Sequence, residues 1–211
     1  MCGILGLINF NSSSIDYQTL IKMNQIQAHR GPDDEGIWYD KNVGIGHRRL
    51  SIIDLSSLAQ QPMLDESKRY VLTYNGEVYN FLSLKKELIE LGYSFNSSSD
   101  TEVVLKSLIE WGSGALSKFN GMYALGFWDN HERKLLLARD RYGIKPLYYY
   151  QNSEVFVFSS EQKSILALPN FHKKLDEAAI IEYFTFQNIL TNKTFFDGLV
   201  LLEPGNYLEL N

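Results

Sequence analysis

Cys2, the single cysteine of the 211-residue chain, is the residue with the clearest chemical potential. Small residues near the start favour removal of Met1, which would give Cys2 both a thiol and a free α-amine. An α-amine titrates at about 7.7–8, so it can act as a general base near neutral pH. Cys2 could then be a nucleophile that supplies its own base. Taken alone, the residue is more typical of a small, buried, unreactive side chain near the end of a strand.

A second candidate is the pair Asn75-Gly76, which follows a predicted strand over residues 70–74. Asn-Gly is most often the turn of a β-hairpin. Here, however, helical spacing begins at Phe81 instead of a long returning strand. Alternatively, the Asn75 amide and the next backbone N–H converge on one oxygen as an oxyanion hole, where glycine allows close approach. Spacing alone leaves both interpretations open.

Two kinds of charged residue could bind the ends of an amino acid. Arg48 and Arg49 end a strand-like run and face opposite ways, so only one of them can enter a given pocket. A guanidinium fork suits a carboxylate, although a solvated arginine is the commoner case. Asp100 could hold an ammonium group, but it lies in the pattern Ser99-Asp100-Thr101-Glu102, which is typical of a capping box. The sequence alone favours a helix cap for Asp100.

Composition and charge exclude several other classes of protein. The net charge is −5 and no Lys/Arg block occurs, which argues against a nucleic-acid binder. One cysteine excludes an intrachain disulfide and a thiolate-rich zinc site, and the histidines lack metal-ligand spacing. No basic residue precedes Lys22, and no apolar run approaches the roughly 18 residues of a membrane span. We therefore expect a cytoplasmic protein that does not enter a membrane.

The elements that must position these residues do not follow a regular βαβ alternation. Alternating apolar residues predict strands over residues 7–10, 43–53, 70–74, 124–128, 135–139, 147–150 and 155–158. Helical spacing covers residues 15–27, 84–91, 104–111 and 176–184. Strands in the front and middle with helices between them predict an α+β fold. No linker divides the chain, so we expect one domain over residues 1–211.

Six stretches of the chain, in order, resemble the class II glutamine amidotransferase domain, an N-terminal-nucleophile hydrolase. The similarity is greatest to the glutaminase half of glutamine-hydrolysing asparagine synthetases. Each stretch is modest by itself, but six in register are highly specific. They cover residues 1–4, 29–33, 47–54, 75–80, 99–102 and 139–147.

The resemblance implies a four-layer αββα sandwich, with two antiparallel sheets between helices. It implies that mature Cys2 is nucleophile and base, and that Asn75 and Gly76 form the oxyanion hole. By the same resemblance, Arg49 would hold the α-carboxylate of glutamine and Asp100 its α-amino group. The residues that would line the rest of the site are Leu50, Ile52 and Glu77.

The resemblance also implies partners and limits. Glutamine is the expected substrate, with no metal or cofactor in this domain and no nucleic-acid or membrane partner. ATP and magnesium are expected only in a synthetase domain. The Ser-Gly-Gly-x-Asp-Ser motif of that domain is absent, so we expect this chain to be part of a longer enzyme, for which a homodimer is allowed.

Three other functions remain open from the sequence. The same domain occurs in amidotransferases with other ammonia acceptors, although residues 75–80 and 143–147 favour the asparagine-synthetase type. A catalytically silent regulatory or interaction module would retain Met1 ahead of Cys2. An acylase of the same fold would hydrolyse other amides and would not need Arg49 together with Asp100.

Overall fold

The computed structural model describes residues 1–51 and 57–211. In chain order, its strands and helices are β1 (Gly3–Asn9), α1 (Tyr17–Gln25), β2 (Asp34–Asp40), β3 (Val43–Arg49), β4 (Met63–Leu64), β5 (Tyr70–Val78), α2 (Phe81–Glu90), α3 (Asp100–Trp111), α4 (Ala115–Lys118), β6 (Gly121–Asp129), β7 (Lys134–Arg139), β8 (Tyr148–Gln151), β9 (Val155–Ser159), α5 (Gln162–Ile165), α6 (Glu177–Phe186), β10 (Leu199–Leu201) and β11 (Tyr207–Leu210). Two short 3-10 turns cover Ser57–Ala59 and Gly112–Gly114.

The strands form two antiparallel sheets, which confirms the predicted α+β class. A six-stranded sheet has the order β10-β8-β9-β1-β3-β2, and a five-stranded sheet has the order β11-β7-β6-β5-β4. The strand that follows Cys2 therefore lies inside the first sheet, between β9 and β3. The strand that carries Asn75 lies inside the second sheet, between β4 and β6.

Three separate apolar clusters fill the spaces between four layers. One cluster packs α2 and α3 against the five-stranded sheet through residues such as Leu84, Leu88, Val104 and Leu108. A second fills the space between the two sheets with residues such as Ile4, Ile45, Val71, Leu137 and Phe158. A third packs α1 and α5 against the six-stranded sheet through residues such as Leu20, Met23 and Ile165. The arrangement matches the expected αββα sandwich.

Several predicted element bounds were wrong, and two of the differences bear on the site. Within the described residues, the strand predicted over 43–53 ends at Arg49, because the Leu50 N–H donates to the Cys2 sulfur and leaves the ladder. Residues 52 and 53 of that prediction lie outside the described residues. The strand predicted over 70–74 continues to Val78, with Asn75 opposite Ala124 and Gly76 opposite Tyr123 on β6. The hairpin-turn interpretation of Asn75-Gly76 is therefore wrong.

Other differences lie elsewhere in the fold: β1 begins at Gly3 and not at residue 7, and the short helices α4 and α5 were not predicted. The sequence indicated a loop over residues 29–36, but β2 starts at Asp34 and forms one edge of its sheet. The short strands β4, β10 and β11 were not predicted. In the part of the chain that the structure describes, no helix is long and apolar enough to cross a membrane.

Candidate active site

A cavity of about 300 Å³ opens where the two sheets meet α3. Seven of the eight residues that the resemblance points to lie on its wall: Cys2, Arg49, Leu50, Asn75, Gly76, Glu77 and Asp100. The eighth, Ile52, lies outside the described residues. Strands from both sheets and the first turn of a helix thus converge on one space, large enough for a small polar ligand.

Cys2 lies immediately before β1 and is half-buried. Its sulfur accepts a hydrogen bond from the Leu50 N–H at 3.4 Å and donates to the Leu50 carbonyl at 3.7 Å. The Arg30 guanidinium donates to the Cys2 carbonyl at 2.9 Å and pairs with Glu161 at 2.8 Å. Both the sulfur and the backbone of Cys2 are therefore fixed relative to the cavity.

Burial raises the pKa of the Cys2 thiol above its ordinary value, although the Leu50 hydrogen bond and nearby positive charges oppose that rise. Those charges belong to the amino terminus, Arg49 and Lys145. The thiol is thus protonated at neutral pH, and a base is needed to make it a nucleophile.

Asn75 is 2% exposed, and its side-chain Nδ2 is buried without a hydrogen-bond partner among the described residues. An unsatisfied buried amide costs about 1–3 kcal/mol, so its presence on a cavity wall suggests a donor kept for a ligand. Beside it, a Cβ added to Gly76 would lie 2.5 Å from the Met122 carbonyl oxygen and 2.7 Å from the Tyr123 Cβ. Only glycine allows β5 to approach β6 this closely at that point.

Asp100 is 4% exposed and is the first residue of α3. The cap of that helix is Ser99, whose hydroxyl accepts from the Thr101 N–H at 2.9 Å, so the interpretation of Asp100 as the cap is wrong. The Asp100 Oδ2 instead accepts from the Tyr74 hydroxyl at 2.8 Å and from the Val78 N–H at 3.0 Å. Burial raises the pKa of the carboxyl, and these hydrogen bonds work against the rise. An incoming ammonium group would offset the cost of burying its charge.

The two adjacent arginines face opposite ways, as predicted. Arg49 is 8% exposed and lies on the cavity wall. Arg48 lies on the other face of β3, where it pairs with Glu35 at 2.8 Å and donates to the Asn24 carbonyl at 3.2 Å. A cation and an anion, Arg49 and Asp100, therefore line the same space.

Lys145 also lines the cavity, although neither its residue type nor its spacing marks it as a site residue. It is 7% exposed, and its backbone is held on both sides. The Arg139 guanidinium donates to the Lys145 carbonyl at 2.8 Å, and the Asp140 carboxylate accepts from the Lys145 N–H at 3.0 Å. The sequence does contain a different signal for Lys145, which lies in the stretch 139–147. There an Arg-Asp pair precedes a turn rich in loop-forming residues.

Within the described ranges, no group of three or more His, Cys, Asp or Glu side chains is arranged to hold a metal ion. The polar side chains on the cavity wall are instead a thiol, two amides, two cations, two carboxylates and three hydroxyls. Such a set suits a small zwitterion whose side chain reaches the thiol.

A family model and individual relatives of this chain both concern proteins that use glutamine. The family model described as the glutamine amidotransferase domain matches residues 1–211. The chain is 40% identical over its whole length to glutamine-hydrolysing asparagine synthetase 1 of Bacillus subtilis, and covers 33% of that protein. It is 37% identical to putative glutamine-hydrolysing asparagine synthetase 2 of Methanocaldococcus jannaschii, with 99% of this chain and 44% of that protein aligned.

The solved structure of glutamine phosphoribosylpyrophosphate amidotransferase from B. subtilis superposes on the whole chain with a TM-score of 0.71. The two sequences are 21% identical, and the match covers 47% of that structure. This likeness supports the fold. The chain spans only part of its relatives: 33% of the length of the B. subtilis synthetase and 44% of that of the M. jannaschii synthetase.

Proposed function

The chain belongs to the glutamine amidotransferase domain family, and from this premise we propose that it hydrolyses the side-chain amide of glutamine through a thioester on Cys2. The observation that carries the proposal is the single cavity that brings Cys2 together with Arg49, Asn75 and Asp100. The products are glutamate and ammonia.

Binding of glutamine uses the two opposite charges on the cavity wall. The Arg49 guanidinium pairs with the α-carboxylate, and the Asp100 carboxylate accepts from the α-ammonium group. Leu50 and Glu77 line the remaining wall, and Ile52 completes the proposed set of binding residues. The side-chain amide then lies at the Cys2 sulfur.

Activation of Cys2 follows removal of Met1, which frees the α-amine of Cys2. The amine takes the thiol proton, and the sulfur attacks the carboxamide carbon of glutamine. The carbonyl oxygen becomes an oxyanion, which accepts hydrogen bonds from the Asn75 Nδ2 and the Gly76 N–H. The Nδ2 of Asn75 has no hydrogen-bond partner among the described residues, which supports this role because the donor is available before the reaction begins.

Collapse of this intermediate breaks the carbon–nitrogen bond. The α-ammonium of Cys2 returns its proton to the leaving nitrogen, so ammonia departs and a γ-glutamyl thioester remains. Water, deprotonated by the same amine, attacks the thioester carbon, and the thiol is restored as glutamate leaves. Every proton that the amine accepts is given back, so the cycle is closed.

We further propose that the ammonia is consumed by an ATP-dependent, asparagine-synthetase-like domain of a longer protein. The relatives that this chain matches over its full length, but only in part of their own, support that arrangement. ATP and magnesium would belong to that domain and not to this one. The single cysteine supports a reducing, cytoplasmic location.

The test is glutamate release from glutamine by protein whose intact mass shows that Met1 has been removed. We expect turnover in the trimmed protein, none in the Cys2→Ala variant, and none in a sample that retains Met1. Absence of turnover in a trimmed, folded sample would contradict the proposal and leave a silent module of this fold. Comparable hydrolysis of amides that lack the α-amino and α-carboxylate groups would instead indicate an acylase.

A further inference from the structure

His47 is a fully buried residue of β3 that the reaction described above does not use. Its Nε2 lies 3.1 Å from the Tyr74 carbonyl oxygen on β5, so this contact crosses from one sheet to the other. Its Nδ1 is buried and has no partner among the described residues. The side chain therefore makes one directed polar contact across the space between the sheets.

The direction of this hydrogen bond is fixed by chemistry. A carbonyl oxygen can only accept, so the Nε2 carries the proton and donates. Burial lowers the pKa of the imidazole to about 4, and the positive charge of Arg49 acts in the same direction. The ring is thus neutral at ordinary pH, with a single tautomer selected by the Tyr74 carbonyl.

Tyr74 is linked both to the proposed oxyanion donor Asn75 and to Asp100, the proposed partner of the α-ammonium group. Its carbonyl belongs to the peptide bond that leads into Asn75, and its hydroxyl donates to the Asp100 carboxylate at 2.8 Å. Its N–H donates to the Gln61 Oε1 at 2.7 Å. A displacement of this peptide would therefore move the Asn75 amide relative to the Cys2 sulfur.

His47 is also close to the residues of the six-stranded sheet that take part in the proposed reaction. It lies two residues before Arg49 on β3, and it pairs with Ile4 of β1, two residues beyond Cys2. Its imidazole consequently connects the sheet that carries the sulfur to the strand that carries the oxyanion donors.

We propose that His47 is a positioning residue for glutamine hydrolysis, which holds the Tyr74–Asn75 peptide of β5 in register with Cys2 through its hydrogen bond to the Tyr74 carbonyl. The proposal rests on the proposed function. Loss of the hydrogen bond misplaces the oxyanion donors while leaving glutamine binding largely intact. Binding depends on Arg49, on the same strand as His47, and on Asp100, which the Val78 N–H also holds.

The test compares variants in the full-length protein with Met1 removed. A displacement of about 1 Å at reacting groups can cost on the order of 100-fold, so we expect His47→Leu to lower kcat roughly 10- to 100-fold with KM within about twofold. His47→Gln, whose amide reaches the place of Nε2, restores most of kcat. Affinity for the product glutamate stays unchanged in both variants.

Thr73→Val is the matched control. The Thr73 hydroxyl donates to the Gly46 carbonyl at 3.1 Å, so it too crosses between β5 and β3 in a fully buried place. We expect this variant to lose some stability in urea but to keep its kcat. An equal loss of kcat in Thr73→Val would show that any cross-sheet bond has this effect, and would overturn the specific role of His47.

Two further outcomes separate the possibilities. A folded His47→Leu variant with wild-type kcat overturns the positioning role, whereas a wild-type protein without glutaminase activity overturns the proposed function itself. If His47→Leu does not fold, His47→Gln is compared with His47→Asn, whose shorter amide reaches only the place of Nδ1. A higher kcat in the Gln variant supports the role of Nε2, and equal values contradict it.

Discussion

Asn75→Ala is a sharp test, because the side-chain NH₂ that it removes has no hydrogen-bond partner among the described residues. The Nδ2 of Asn75 is buried on the cavity wall and makes no hydrogen bond to any described residue. The variant therefore loses a bond only when an oxyanion forms. Loss of one such donor lowers kcat by about 10²–10³, equivalent to about 2.7–4 kcal/mol of transition-state stabilisation.

Stability should respond very differently from activity. Removing an unsatisfied buried amide relieves a penalty of about 1–3 kcal/mol, and truncation of the side chain leaves a small void that costs a similar amount. We therefore expect the free energy of unfolding of Asn75→Ala to stay within about 1 kcal/mol of the wild-type value. KM should change little, since Arg49 and Asp100 remain in place.

The assay is the initial rate of glutamate release over a range of glutamine concentrations, together with urea unfolding of the same samples. Ser107→Ala is the matched control, because its hydroxyl on α3 is also buried without a partner among the described residues but does not line the cavity. That variant should keep its kcat. A kcat for Asn75→Ala within about threefold of wild type would refute the oxyanion role, as would an equal loss in Ser107→Ala.

Three further predictions concern binding, pH and packing. Arg49→Ala should raise the KM for glutamine about 10- to 100-fold, because it removes a charge-assisted hydrogen bond. The rate of Cys2 alkylation by iodoacetamide should stay unchanged. Loss of both glutamine binding and alkylation would indicate misfolding. Because the pKa of buried His47 is lowered from 6.5 to about 4, its contribution to stability is full above pH 6.5 and lost as the pH falls towards 4. This loss amounts to about 3 kcal/mol, and urea unfolding should show a shallower acid dependence in His47→Gln. Gly76→Ala should lower the melting temperature because the added Cβ would lie 2.5 Å from a backbone oxygen. Gly114→Ala should not, because its added Cβ would meet no described atom within 4 Å apart from the adjoining backbone.

Much of this fold could be predicted, because long segments carry clear periodicity. The helix at 104–111 and the strand at 124–128 follow their apolar patterns closely, and both lie within observed elements. The edge strand β2 was missed, since its residues are exposed or half-exposed, include Asp34, Glu35 and Asp40, and show no apolar alternation. Pairing with β3, a tertiary effect, makes this segment a strand.

The candidate site, like the fold, could be predicted from the sequence only in part. Residue types and the resemblance identified Cys2 and Asn75 as candidates, because each would act through its own side chain. The contributions of Arg30 and His47 could not be predicted, since each acts through a backbone carbonyl that is distant in sequence. Such contacts depend on how the two sheets, and the loop that follows α1, pack in three dimensions, and spacing along the chain does not show this.

The position of Met1 on the cavity wall has a practical consequence for making this protein. An affinity tag fused ahead of Cys2 would enter the volume proposed for the substrate, and any uncleaved remnant would turn the proposed base, the α-amine of Cys2, into an amide. If the α-amine of Cys2 is the base proposed above, a preparation tagged at the amino end is inactive however well it folds, and its inactivity says nothing about the native protein.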